Sequence, residues 1–138
     1  MQNPAPDAHV PDDGRCDVLV VDNDADYAGT IVAYLSGKNL SAEEAWNGSA
    51  AIDGVRKFQP KLVLMDIDMP DLDGIEVAKQ LHDSGLPSKV ILMSGYPECL
   101  KAAVKSGSNV VAAVDKPVPL NVLAASVSQW LTDETPVQ

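Results

Sequence analysis

Four polar side chains stand where apolar runs stop: Asp22 after Val18-Leu19-Val20-Val21, Asp66 after Leu62-Val63-Leu64-Met65, Ser94 after Val90-Ile91-Leu92-Met93, and Lys116 just past Val110 to Val114. None of the first three runs alternates with polar residues, the pattern of a strand buried on both faces. In an open parallel sheet the strands run one way and ligands bind beyond their carboxyl ends, so two acids, a hydroxyl and an ammonium are brought to one edge. Clustered carboxylates raise one another's pKa unless a cation lies among them. Mg²⁺, or Mn²⁺ in its place, suits the set: Mg²⁺ takes one or two carboxylates, keeps several waters and accepts phosphate oxygens. The lysine and hydroxyl would then stabilise a transferring phosphoryl group, with Asp66 as the nucleophile that forms an acyl phosphate. Taken singly, each residue has a plainer use. Asp22 and Asp24 can cap a first helix, Ser94 a fourth, and Lys116 can sit in an exposed turn, but those uses explain poorly why all four fall at strand ends.

The segments between the runs must be helices for this edge to form. Tyr27, Ile31, Tyr34 and Leu35 recur at helical spacing behind an Asp24 cap and stop at Gly37. Ala51, Val55 and Phe58 predict a second helix ended by Pro60; Ile75, Ala78 and Leu81 a third, ended by Gly85 and Pro87; Leu100, Ala103 and Val104 a short fourth. Leu120, Leu123, Val127 and Trp130 lie on one face of a closing helix. Leu40 to Trp46 is a weak strand, whose two glutamates put it at a sheet edge or in a loop. Trp46 and Trp130 read as packing residues, and His82 as a solvent-facing residue favoured by a helix dipole. Strands alternating with helices over short loops predict a parallel sheet covered on both faces.

Composition bounds the alternatives. The 138 residues, 46% hydrophobic and 22% charged, fit one globular domain. Residues 1–16, with three prolines and His9, read as a disordered tail, residues 17–132 as the domain, and residues 133–138 as a frayed end. Twenty acids against ten basic residues give a net charge of −10, which opposes direct contact with nucleic acid or an anionic membrane. Cys16 and Cys99 form no CxxC, no run approaches the roughly 20 residues of a membrane span, and no signal peptide is recognised, so the chain reads as cytoplasmic with reduced thiols.

Strand-Asp22-Asn23, strand-Asp66 followed by Ile67-Asp68-Met69-Pro70-Asp71-Leu72-Asp73-Gly74, strand-Ser94-Gly95 and strand-Asp115-Lys116-Pro117 resemble, in order and separation, the receiver domain of two-component response regulators. The resemblance covers about Asp17 to Leu131. It implies a flavodoxin-like (βα)5 three-layer sandwich with parallel strand order 2-1-3-4-5. It further implies that Asp66 accepts a phosphoryl group from a phosphohistidine on a sensor histidine kinase or phosphotransfer protein. Asp22, Asn23, Asp66 and the Asp68 carbonyl would form the metal site, Ser94 the switch hydroxyl and Lys116 its lysine partner, with a cis bond before Pro117. Such a domain is not a conventional enzyme, although it catalyses its own phosphorylation and dephosphorylation. It acts by docking on a downstream protein, as a monomer or a phosphorylation-dependent dimer.

Two departures qualify the resemblance. The second of the family's paired acids is Asn23 here, which removes a formal charge and predicts weaker Mg²⁺ binding, with Asp24 as a substitute ligand. The position of the family's switching aromatic, three residues before its lysine, is Ala113, so the change on phosphorylation is expected either to be small or to be carried by the loop from Ser94 to Tyr96 and the fourth helix. Two rivals stand beside the receiver: a receiver-like binding module that is never phosphorylated, and a phosphatase resembling the haloacid dehalogenases, suggested by Asp66-Ile67-Asp68.

Overall fold

The computed structural model describes residues 14–103, 105 and 107–132; residues 1–13 with His9, Val104 of the expected fourth helix, and residues 133–138 lie outside them. Five strands, β1 (Val18–Val21), β2 (Ala42–Ala45), β3 (Leu62–Asp66), β4 (Lys89–Ser94) and β5 (Val110–Asp115), alternate with five helices. These are α1 (Ala25–Gly37), α2 (Gly48–Phe58), α3 (Gly74–Asp83), α4 (Pro97–Ala103) and α5 (Leu120–Thr132). All strand pairs are parallel and the order is β2-β1-β3-β4-β5, as the resemblance implied.

The unbroken apolar runs are explained by two cores, one on each face of the sheet. Leu19 and Val21, Val63 and Met65, and Val90 and Leu92 meet α2, α3 and α4 through Ala51, Val55, Val77, Leu81 and Ala103. Their alternates, Val18, Val20, Leu62, Leu64, Ile91 and Met93, meet α1 and α5 through Ile31, Leu35, Leu123 and Val127. Each side chain is almost wholly removed from water, which stabilises the fold by about 1.5–3 kcal/mol apiece for Val, Leu, Ile or Met. β5 breaks the alternation: its register slips between Val90 and Ile91, which pair with Val110 and Ala112. The bulge leaves Val110 and Ala113 on the α2–α4 face and Val111, Ala112 and Val114 on the other.

Local chemistry sets the helix boundaries. Asp24, Asn47 and Asp73 cap α1, α2 and α3 by accepting backbone amides of their first turns. Gly85, at φ +73°, turns the chain out of α3. The weak segment near residue 42 is an edge strand, not a loop, pinned where Asp17 and Ser41 exchange side-chain-to-amide hydrogen bonds of 2.9 and 3.0 Å.

Two packing expectations are corrected. Trp46 is 53% exposed beyond the end of β2, its indole N–H donating to Glu44. Cys16, assigned to the tail, is buried with its amide bonded to the Phe58 carbonyl. Burial, aided by the charges of Glu43 and Asp17, pushes its thiol up to about 12, so it stays protonated. Both cysteines are free thiols, and no helix among the described residues is long and apolar enough to cross a membrane.

Candidate functional site

Asp66 is the last residue of β3, and its surroundings are fixed by backbone hydrogen bonds. The Ile67 amide continues the sheet to the Met93 carbonyl at 2.8 Å, while the Ile67 carbonyl accepts from Gly74 at 2.9 Å. Gly74 packs so closely that a Cβ would collide with the Asp66 carbonyl oxygen. Glycine at the end of the acidic loop is therefore a steric requirement. Asp71, in the same loop, accepts the Gly48 and Ser49 amides at 2.9 and 3.0 Å and ties the loop to the start of α2. Those amide bonds, with that of Leu72, hold its carboxyl well below the usual carboxylate range.

Asp22, Asp66 and Lys116 converge as the strand ends require. The Lys116 ammonium lies 2.9 Å from Asp22 and 3.6 Å from Asp66. Both acids are almost fully buried, whereas the lysine side chain is 23% exposed. Asp22 also accepts the Asp24 amide at 2.9 Å, and Asp66 the Asp68 amide at 3.2 Å. The Lys116 amide donates to the Ser94 carbonyl at 2.9 Å, joining the ends of β5 and β4, and the Lys116–Pro117 bond is cis.

Ser94 reaches the cluster indirectly. Its hydroxyl donates to the Asp68 carboxylate at 3.2 Å and accepts the Tyr96 amide at 3.0 Å. The hydroxyl is thus turned to an acid of the loop. Asn23 is exposed at the rim. Asp24 is used by the α1 cap, its Oδ1 accepting the Asp26 and Tyr27 amides. Ala113 pairs with Leu92 and is half-buried against the α2–α4 core.

The electrostatics are unbalanced. Burial, then the neighbouring Asp22 charge, pushes the Asp66 carboxyl up to about 6, with Lys116 opposing. Burial alone would lower the Lys116 ammonium, but the Asp22 hydrogen bond and the charges of Asp66 and Asp22 reverse this and raise it. Two carboxylates share one cation. Among the described residues no three His, Cys, Asp or Glu side chains are grouped to hold a metal, because Asp68 faces Ser94 and position 23 is an amide. The Asp22 and Asp66 carboxylates, sharing one ammonium, still suit a hard cation, with a negative charge left to neutralise.

Asp71 and Gly74 contribute beyond the candidate site residues read from sequence: Gly74 stands in the acidic motif, whereas Asp71 acts on amides distant in the chain and carries no local signal.

The family model for the response regulator receiver domain matches residues 18–128. Chemotaxis protein CheY of Halobacterium salinarum is 31% identical over 117 residues, covering 83% of this chain and 96% of CheY. The DNA-binding response regulator MtrA of Mycobacterium tuberculosis is 29% identical over 124 residues, covering 88% of this chain and 54% of MtrA. The chain thus spans about half the length of MtrA. The solved structure of response regulator TrrA from Thermotoga maritima, in complex with Mg(2+)-BeF, superimposes with a TM-score of 0.74 at 24% identity, over 83% of this chain and 98% of that one. With the strand order and the Asp66 motif already pointing the same way, these matches establish that the chain belongs to the response regulator receiver domain family of two-component systems.

Proposed function

We propose that the chain receives a phosphoryl group on Asp66 from a phosphohistidine of a sensor histidine kinase or phosphotransfer protein. The observation that carries this reading is the buried Asp66 carboxylate at the end of β3, facing an ammonium that it shares with Asp22. A carboxylate oxygen attacks phosphorus, the P–N bond of the phosphohistidine breaks, and the imidazole nitrogen keeps the electron pair and takes a proton. Lys116 is the cation on hand for the phosphoryl oxygens, and Ser94 supplies a hydroxyl once it leaves Asp68.

Mg²⁺ would be held by Asp22, Asn23, Asp66 and the Asp68 carbonyl, where it would neutralise charge on the phosphoryl oxygens. The Mg(2+)-BeF complex of TrrA supports the choice of ion. Asp66 is only 2% exposed, so the donor can reach it only after Lys116 or the adjoining loop gives way.

The output is docking on another protein in the cytoplasm, as a monomer or a phosphorylation-dependent dimer. A net charge of −10 argues against the chain's own contact with nucleic acid. Without an aromatic at position 113, the response runs through Ser94 to Tyr96, whose ring is 56% exposed, and α4. The phosphatase alternative is set aside by membership of the receiver family.

Incubation with acetyl phosphate and Mg²⁺, read by intact mass, tests the proposal. The parent should gain one acid- and hydroxylamine-sensitive phosphoryl group and Asp66→Asn none. An unlabelled parent would favour the binding-module alternative, and label retained in Asp66→Asn would refute the choice of residue.

A further inference from the structure

Lys116 has a third partner besides the two acids: the Tyr27 ring, whose centroid lies 4.9 Å from the ammonium. Tyr27 stands in the first turn of α1, where its amide bonds to the capping Asp24 carboxylate. Its ring packs against the α1 and α5 core, and its hydroxyl oxygen is buried with no hydrogen-bond partner among the described residues. A buried hydroxyl without a partner is a cost, and an aliphatic side chain could fill the same layer without it. Packing alone therefore does not account for a tyrosine.

The ring face accounts for an aromatic side chain here, though not for its hydroxyl, because an aromatic quadrupole attracts an ammonium within about 6 Å of its centroid. We propose that Tyr27 is a positioning residue for Lys116, its ring keeping the ammonium at the acidic site when Asp22 and Asp66 are engaged with another cation or with a phosphoryl group. Lysine is a compact charge on a flexible stem, so losing both carboxylates would otherwise leave it free to swing into water. The carboxylate oxygens are the donors a divalent ion would take; the ring is a partner it does not compete for. The inference rests on the proposed role of Lys116 at the phosphoryl group, but the contact itself belongs to the unphosphorylated chain.

Three proteins test it: the parent, Tyr27→Phe and Tyr27→Leu. In the unphosphorylated state, NMR should find the Lys116 ε-methylene protons shifted upfield by the ring current in the parent and Tyr27→Phe, with and without Mg²⁺, and unshifted in Tyr27→Leu. Labelling by acetyl phosphate should slow by about three- to tenfold in Tyr27→Leu, as expected for the loss of a cation–π contact, and stay near the parent's rate in Tyr27→Phe. A folded Tyr27→Leu that keeps the upfield shift, or a Tyr27→Phe that behaves like it, would overturn the proposal; if leucine prevents folding, Tyr27→Met replaces it. Absence of label in all three proteins would count against the phosphoacceptor reading, whereas the ring-current shifts decide the Tyr27 contact separately.

Discussion

The Lys116 ammonium lies 2.9 Å from the Asp22 carboxylate. That is a tighter contact than its 3.6 Å approach to Asp66, so the lysine is engaged chiefly by the acid proposed to hold the metal. Asp22 cannot serve two cations equally, and a divalent ion drawing on its oxygens would loosen the lysine and leave it free to turn towards a group on Asp66.

Lys116→Ala leaves two buried carboxylates without their cation. Breaking a fully buried ion pair costs about 3–5 kcal/mol, and the partial exposure of the lysine reduces this to about 1–3 kcal/mol. Urea unfolding with and without Mg²⁺ measures it. The variant should be less stable than the parent and gain more from Mg²⁺, and an equal gain in both would contradict a shared site.

Asp66 makes stability depend on pH. Its folded pKa of about 6 lies above the ordinary carboxylate value, so the folded protein holds this proton more tightly than the unfolded chain. The favourable contribution is fully present below about pH 4 and is lost as pH rises through about 6. Asp66→Asn, which keeps the shape and removes the charge, should therefore be more stable than the parent at pH 7 without metal, by on the order of 2 kcal/mol. Thermal unfolding across this range, in buffer containing a chelator, should find the difference shrinking towards pH 4. A difference independent of pH would mean that Asp22, Asp68 and Lys116 already balance the Asp66 charge.

Gly74→Ala forces a methyl group onto the Asp66 carbonyl. The atoms it meets are all main chain of Asp66 and Ile67, which leaves little room for relief, and overpacking of this kind costs about 1–3 kcal/mol. Chemical denaturation should register that loss, and the amides of Asp66 to Asp68 should shift in NMR spectra. An alanine variant as stable as the parent, with those amides unmoved, would show that the loop is free to yield.

Asn23→Asp restores an acid at the rim of the site. A second formal charge among the metal donors should tighten Mg²⁺ binding severalfold. Tyr27 and Trp46 supply fluorescence near the site end of the sheet for the titration, and equal affinities in the two proteins would mean that residue 23 does not contact the ion.

The strands that carry Asp22, Asp66 and Ser94 were legible because a strand covered on both faces needs apolar residues at consecutive positions, and few other elements do. β2 and β5 were harder to read because they lie at the two edges. Glu43 and Glu44 face water on one edge, while the bulge at Val111 rearranges faces on the other without altering composition. The exposure of Trp46 is not legible because hydrophobicity alone does not reveal whether an element lies over it. The burial of Cys16 is not legible because its partner, the Phe58 carbonyl, is brought close only by the fold. Asp22, Asp66 and Lys116 were assigned to one edge from strand direction alone, since parallel pairing leaves their carboxyl ends nowhere else to go. The direction of the Ser94 hydroxyl was beyond that reasoning, because a side-chain torsion selects Asp68 and not Asp66.

The amide of Lys116 and the carbonyl of Ser94 are joined across the last rung between β4 and β5. A main-chain link at this point makes relative sliding of the two strand ends costly, whereas rotation about the side-chain bonds of either residue leaves the rung intact. Any signal that starts at Asp66 therefore begins as reorientation of a hydroxyl and an ammonium on a stationary frame, and larger movement is left to segments outside that frame.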